Sequence, residues 1–199
     1  FLMPCRSLAG NRSWRQEVFN KLRDMLPTAY YSKGDEYKPL PQLSRNNSWN
    51  SLSEDDMSFE KLMYIDPLWY HRSYCSVVLE TYVDNNQSAA FITEKTYKPI
   101  HMQQPFMIIS TSGSLKKLRQ LGFQTFDNIF DESYDHEDNL RKKIKIIKKN
   151  LKHINKKDGY DSETIARLKH NSSHFSNLDV IKRNVEEEII FPFLEWVND

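Results

Sequence analysis

Along the chain, short blocks of consecutive apolar residues alternate with longer stretches in which apolar residues recur every third or fourth position. The short blocks, "FLMP" (1–4), "TAYYS" (28–32), "CSVVLETYV" (75–83), "PFMIIS" (105–110) and "FQTF" (123–126), have the length of buried strands. The longer stretches read as helices. In "WRQEVFNKLRDML" (14–26), Val18, Phe19, Leu22 and Met25–Leu26 share one face, and Ser13 followed by Gln16 predicts a capping box. "TEKTYKPI" (93–100) predicts a short helix opened by Thr93 and interrupted by Pro99. "SGSLKKLRQLG" (112–122) predicts another, closed by Gly122 at the C′ position. From Glu137 onward the pattern is helical. Leu140, Ile144, Ile147, Leu151 and Ile154 point inward and the lysines between 142 and 157 form a solvated face; a helix opened by Asp161 follows, and a last one ends near Trp196.

Strands alternating with helices predict an α/β fold with a mostly parallel sheet covered on both sides. Residues 33–72 break the alternation: they are polar, rich in Ser, Asn and aromatics, and carry Pro39, Pro41 and Pro67, which predicts a long excursion with little regular structure. The domain organisation that follows is a sheet domain over 1–135, including that excursion, and a helical extension over 136–199 packed on it. In parallel sheets ligands bind beyond the carboxyl ends of the strands. The loops at 5–13, 84–93 and 110–114 are therefore where chemistry is expected.

Composition narrows the function classes. Among 199 residues, 28 Lys and Arg balance 27 Asp and Glu, a net charge of +1, so no global field favours nucleic acid or a membrane surface. Cys5 and Cys75 lie far apart without CxxC spacing and read as two buried free thiols. No apolar run approaches the ~18 residues of a membrane span, and no signal-peptide pattern is present, so a soluble, cytoplasmic protein is expected. The start at Phe1, inside a strand pattern, predicts a piece of a longer chain.

At the predicted strand ends, Arg15 occupies the first turn of a helix, where the dipole disfavours a cation by up to ~1 kcal/mol, and Arg12 is close by. An anion at that helix end would explain both; a solvent-facing arginine that tolerates its position is the alternative. After the capping Thr93, Glu94 suits a helix start and Lys95 does not. A carboxylate can accept two ribose hydroxyls and an ammonium can neutralise a diphosphate, while an exposed Glu–Lys pair is the plain alternative. "TSGS" (111–114), with Gly113, allows close backbone approach to a ligand or is an ordinary turn. No GxGxxG or GxxxxGK[ST] sequence occurs, so neither a dinucleotide fold nor a phosphate-loop nucleotidase is supported. Asp131, Glu132 and Asp135 of "FDESYD" (130–135) could face a cleft or cap the lysine-rich helix, and Glu80, at a strand end, could serve a cleft.

These segments resemble a known family. "FITEK" (91–95) resembles the Y-V-T-E-K motif of the bacterial alpha-1,3-fucosyltransferases, two-domain glycosyltransferases of the GT-B type, where the motif lies in the nucleotide-binding half. "RQEVFNKL" (15–22) resembles the helix of that half that begins with a phosphate-binding arginine, written R-N-x-F-Y-x-x-L. The run from Phe91 to Asp135 resembles still more closely the uncharacterised GT-B-like glycosyltransferases of phages and marine bacteria. The resemblance covers residues 1 to about 150. It implies a Rossmann-like sheet, one half of a GT-B fold, in which Glu94 binds ribose hydroxyls and Lys95 and Arg15 the diphosphate. Arg12, Thr93 and Gly113 would complete the donor site. Phe91 stands where the fucosyltransferase motif has tyrosine, leaving packing or stacking in place of a phenol hydrogen bond.

The function so implied is glycosyl transfer from a nucleotide-diphosphate sugar to an acceptor: a glycan, a lipid-linked sugar, a modified nucleic-acid base or a protein. The sugar donor would be a substrate, with no cofactor and no bound metal; "EDD" (54–56) lacks the strand that a metal-binding DxD motif ends. In the fucosyltransferases the general base belongs to the other half, an N-terminal acceptor domain that this chain would lack. Glu80 is the candidate base within it. The competing reading is a binding or structural module that keeps the nucleotide-half fold without catalysis.

Overall fold

The computed structural model describes residues 1–5, 8, 12–33, 36–38, 67–83, 90–154 and 159–191. Its centre is a five-stranded sheet in which β1 (Leu2–Met3), β2 (Tyr30–Lys33), β4 (Ser76–Leu79) and β5 (Phe106–Ile109) run parallel, while β3 (Glu36–Lys38) pairs antiparallel with β2 at one edge. The spatial order is β3-β2-β1-β4-β5. Each parallel strand sits where an apolar block was predicted, and β4 and β5 are buried along their whole length, as strands covered on both faces must be. The fold is α/β and Rossmann-like, with a helical C-terminal region.

Helices α1 (Trp14–Lys21) and α3 (Glu94–His101) connect β1 to β2 and β4 to β5. The two crossovers progress in opposite directions from the centre of the sheet, so right-handed connections place α1 and α3 on opposite faces. Helix α5 (Leu140–Ile154) joins α1 on its face: Arg141 pairs with Glu17 at 2.7 Å, and Lys148 Nζ donates to Lys21 O and pairs with Asp24. Helix α6 (Ser162–Phe175) packs on α3, with Tyr97 and Phe175 stacked at 5.5 Å. Ile144, Ile147, Leu151 and Leu168 of these C-terminal helices belong to the same buried cluster as the strands, so sheet and C-terminal helices share one core. Helix α7 (Leu178–Val185) follows, passing into a π-helical turn over Glu186–Ile190. Trp196 lies outside the described residues, among which no helix is long and apolar enough to cross a membrane.

Several expectations are corrected. Helix α1 ends at Lys21 rather than Leu26, and the capping box does not form: Ser13 makes no side-chain cap, and the Gln16 side chain bonds Asn20 instead. Helix α3 runs through Pro99 to His101, burying the ring. Within the excursion, the described residues include β3 and a short helix α2 (Pro67–His71); 39–66 lie outside them. "FQTF" is not a strand. Its backbone groups are claimed by side chains: Asn171 takes both Gln124 N–H (2.7 Å) and Gln124 C=O (2.8 Å), Arg167 takes Thr125 O, and Glu132 takes Phe126 N–H. Asn150 treats Asp131 the same way, at 2.9 Å for each bond. The expected free thiols, Cys5 and Cys75, are buried and unbridged.

Helix α4 (Ser114–Gln120) ends as predicted, with Gly122 at φ +88° and Phe123 N–H returning to Leu118 O. A Cβ on Gly122 would lie 2.5 Å from Cε1 of His174, whose Nε2 donates to Leu121 O at 2.7 Å. Gly122→Ala should therefore cost about 2–4 kcal/mol in a urea melt, combining left-handed strain with the clash. In a His174→Ala background the cost should fall to the ~1–2 kcal/mol of the backbone alone; equal costs in both backgrounds would remove the steric part of this account.

Candidate functional site

The parallel strands read β2-β1-β4-β5, so the direction of winding reverses between β1 and β4. At such a switch point the loops leaving the two strands diverge and open a crevice at the carboxyl edge. The first turns of α1 and α3 reach this edge from opposite faces.

Arg15, in the first turn of α1, is 2% exposed, and its Nη2 donates to Leu79 O (3.1 Å), the last carbonyl of β4, and to Glu80 O (2.6 Å) just beyond it. Burial lowers its pKa from the ordinary guanidinium value; Cys5 opposes that shift, Arg12 adds to it, and Glu80 opposes it. Glu80 N–H bonds Ile109 O, extending the ladder to β5. The Glu80 carboxylate is fully buried and accepts three hydrogen bonds from α3's first turn: Thr93 N–H to Oε1 (3.0 Å), Thr96 Oγ1–H to Oε1 (2.7 Å) and Thr93 Oγ1–H to Oε2 (2.6 Å). Thr93 caps α3 as predicted, accepting from Lys95 N–H at 3.3 Å. Its hydroxyl also accepts from Lys95 Nζ at 3.0 Å, and Nζ pairs with Glu94 at 2.9 Å.

Arg15, Glu80, Thr93, Lys95 and Glu94 thus form one connected network, linked in that order. Arg15 and Glu80 are buried, Thr93 is half-buried, and the outer pair, Glu94 and Lys95, is about one-third exposed. Burial raises the Glu94 pKa, but the hydrogen bond and charge of Lys95 outweigh it, leaving the carboxyl below its ordinary value. The electrostatic influence of Arg12 on Arg15 places a second guanidinium near the same helix start, and Arg12 Nε is buried without a hydrogen-bond partner. Phe91 is 49% exposed and meets Tyr82 edge-on at 5.8 Å, leaving an aromatic surface just before the Glu94–Lys95 pair.

Glu80, expected as a cleft base, has both carboxylate oxygens committed to holding α3 against the sheet. Gly113 stands apart from the network. It adopts φ +84° and donates to Asp135 O at 2.8 Å, and the Asp135 carboxylate accepts Leu115 N–H (2.9 Å) and Lys116 N–H (3.2 Å). The start of α4 thus already holds an anion from within the chain. "FDESYD" therefore neither lines the crevice nor caps the lysine-rich helix. Asp135 caps α4, Glu132 ties Thr125, Phe126 and Arg119 together, and Asp131 closes its own turn through Ser133 N–H; Asn139 is what caps α5. "EDD" lies outside the described residues, among which no group of three His, Cys, Asp or Glu could hold a metal ion.

Lys143 was hidden in the lysine-rich face. It is 2% exposed and donates to Ser110 O at 2.5 Å, just beyond β5. Its position, three after Leu140 and four before Ile147, puts it on the apolar stripe, and that spacing was the available signal. Arg15 and Lys143 thus reach from α1 and α5, on one face, to the carbonyl ends of adjacent strands. The Ser110 and Thr111 hydroxyls beside Lys143 are buried without partners.

Comparison with family models, with curated proteins and with solved structures finds no match for this chain.

Replacing Glu80 by Gln keeps the shape but offers an amide donor to groups that already donate. Unfolding should become easier by about 1–3 kcal/mol, with α3 amides exchanging faster than those of α5; wild-type stability would deny the carboxylate its clamping role. For Lys143, burial lowers the pKa below 10.5, while Asp135, Asp138 and Glu137 oppose the shift. The unfolded chain then binds more protons between the folded and unfolded pKa values, so this group's contribution becomes more favourable as pH rises through that window. The stability of wild type relative to Lys143→Met should accordingly increase from pH 7 towards 10.5, measured by denaturant melts; a flat difference would contradict the shift.

Proposed function

We propose that this chain is the donor-binding half of a glycosyltransferase, which transfers a sugar from a nucleotide-diphosphate sugar to an acceptor hydroxyl. The observation that carries the reading is the Arg15–Glu80–Thr93–Lys95–Glu94 network at the switch point of the sheet. The resemblance of "FITEK" and "RQEVFNKL" to the fucosyltransferase motifs falls on its two ends. Lys95 supplies a point charge to the diphosphate, and Glu94, released from Lys95, accepts the ribose hydroxyls. Arg12 adds charge beside the α1 start. Arg15 sets the geometry and field from beneath, since its Nη2 holds β4 carbonyls. Stabilising the departing diphosphate with fixed cations and helix starts is electrostatic transition-state stabilisation. The acceptor is a glycan, a lipid-linked sugar, a modified base or a protein, and its base comes from a domain outside this chain.

One observation favours a second reading, a binding module without catalysis. Glu80, the candidate base, is buried and fully hydrogen-bonded, so no candidate for that role is left among the residues singled out.

Calorimetric titration with nucleosides and their diphosphates separates these readings. Lys95→Ala should weaken diphosphate binding by ~1.5–3 kcal/mol, the size of a charge-assisted contact, with folding unchanged within ~0.5 kcal/mol. Glu94→Gln should weaken nucleosides and diphosphates alike, and chelator should leave both unaffected. Binding of no nucleotide by wild type, or wild-type binding by Lys95→Ala, would overturn the donor-site assignment.

A further inference from the structure

A cavity of about 260 Å³ opens at the other end of the molecule. Tyr74 lies two residues before the start of β4, and Asn150 Nδ2 lies 3.6 Å from Met107 Sδ in the first half of β5, so the cavity sits at the amino edge of the sheet. The candidate donor site at the carboxyl edge is at least a strand's length away, ~13 Å for four residues. Tyr74, Ile129 and Ile154 give the cavity its apolar wall, and Asp131, Lys149 and His153 stand exposed at its rim.

The wall is firmly placed. The Tyr74 ring packs edge-on against Tyr160 at 4.8 Å, while Tyr160 Oη donates to Tyr74 O at 2.6 Å. Asn150 fixes the backbone of Asp131 through two hydrogen bonds. The rim has a definite pattern of donors and acceptors. Asp131 is held ionised: the hydrogen bonds from Ser133 keep its carboxyl below the ordinary value. Lys149 is an ammonium donor. His153 Nδ1 lies 2.9 Å from Lys149 O, and a carbonyl can only accept, so Nδ1 donates to it and Nε2 is left for the cavity mouth.

An anion entering this rim meets the Asp131 carboxylate, and a cation meets the Lys149 ammonium. A neutral polyol meets neither penalty, because each hydroxyl both donates and accepts. The size, just under the ~300 Å³ at which drug-sized pockets begin, suits one ring. An aromatic and aliphatic wall suits the C–H face of a pyranose, whose hydroxyl edge would turn to the rim. We propose that this cavity is a carbohydrate subsite for a single pyranose unit, separate from the candidate donor site. The inference rests on the cavity alone and does not depend on the glycosyltransferase reading.

Saturation-transfer NMR on the full chain tests it, with glucose, galactose, mannose, fucose and N-acetylglucosamine at millimolar concentration, each also as its methyl glycoside. At least one sugar should receive magnetisation and bind with a millimolar Kd. The exposed His153→Ala and Lys149→Met changes should each weaken it about threefold to tenfold, the loss of one hydrogen bond. Tyr74→Ala should abolish it, provided its circular dichroism is native; the rim variants decide the matter otherwise. Equal binding of the methyl glycoside would assign the site to the end of a glycan, and binding of the reducing sugar alone to a free monosaccharide. Nucleoside diphosphates should leave the sugar signal in place, so a failed donor site and a failed sugar site are told apart. Three results would overturn the proposal: no transfer to any sugar, sugar binding indifferent to both rim changes, or displacement of the sugar by inorganic phosphate or a nucleoside diphosphate.

Discussion

A carboxylate taken out of water costs several kcal/mol unless its lone pairs find donors. Glu80 meets that demand with one backbone amide and two threonine hydroxyls, all from the start of α3, while its own carbonyl serves Arg15 from the opposite face. This single residue joins both helical layers to the end of β4 and fixes where Thr93 stands. Thr93 in turn positions Lys95, which holds Glu94. The exposed Lys95–Glu94 pair thus inherits its place from a group that is itself inaccessible. The division of labour follows from dielectric: the buried members are held by dense hydrogen bonding, and the outer pair, close to water, can exchange partners at low cost.

How much of this was legible depends on which interactions set each element. The strands and the amphipathic helices were readable because apolar burial acts on every residue of a face and leaves a period in the sequence. Thr93 as a cap and Gly122 as a terminator were readable because each acts on its nearest neighbours. "FQTF" misled because its composition suits a strand, while the partners that deny it one, Asn171 and Arg167, lie more than 40 positions away. Asp135 was likewise seen as a cap, but its helix precedes it in the chain, and local order gives no hint of that. For Glu80 the position at a strand end was evident; the three donors that occupy it were not, because they lie 13 and 16 positions further on.

The two buried cations show a further limit of reading composition. Arg15 and Lys143 look like surface charges in sequence, yet each closes a strand end by serving its carbonyls. A parallel sheet ends in a row of carbonyls that loops must satisfy. Here long basic side chains from α1 and α5 do so, spending their aliphatic stems on the core and their charges on the sheet edge. The balance of charge over the whole chain hides this arrangement completely.

Asn171 and Asn150 each complete both backbone groups of one residue, Gln124 and Asp131. In effect side chains replace a main-chain ladder along the segment that follows α4. A main-chain ladder is indifferent to which residues form it, whereas this one exists only while two particular amides, on α5 and α6, are docked. The connecting segment therefore depends on those helices for these backbone bonds, beside the ties that Glu132 and Asp135 make within it and to α4. The C-terminal third of the molecule, although it follows the last strand, is in this sense a structural partner of the segment that leads out of α4.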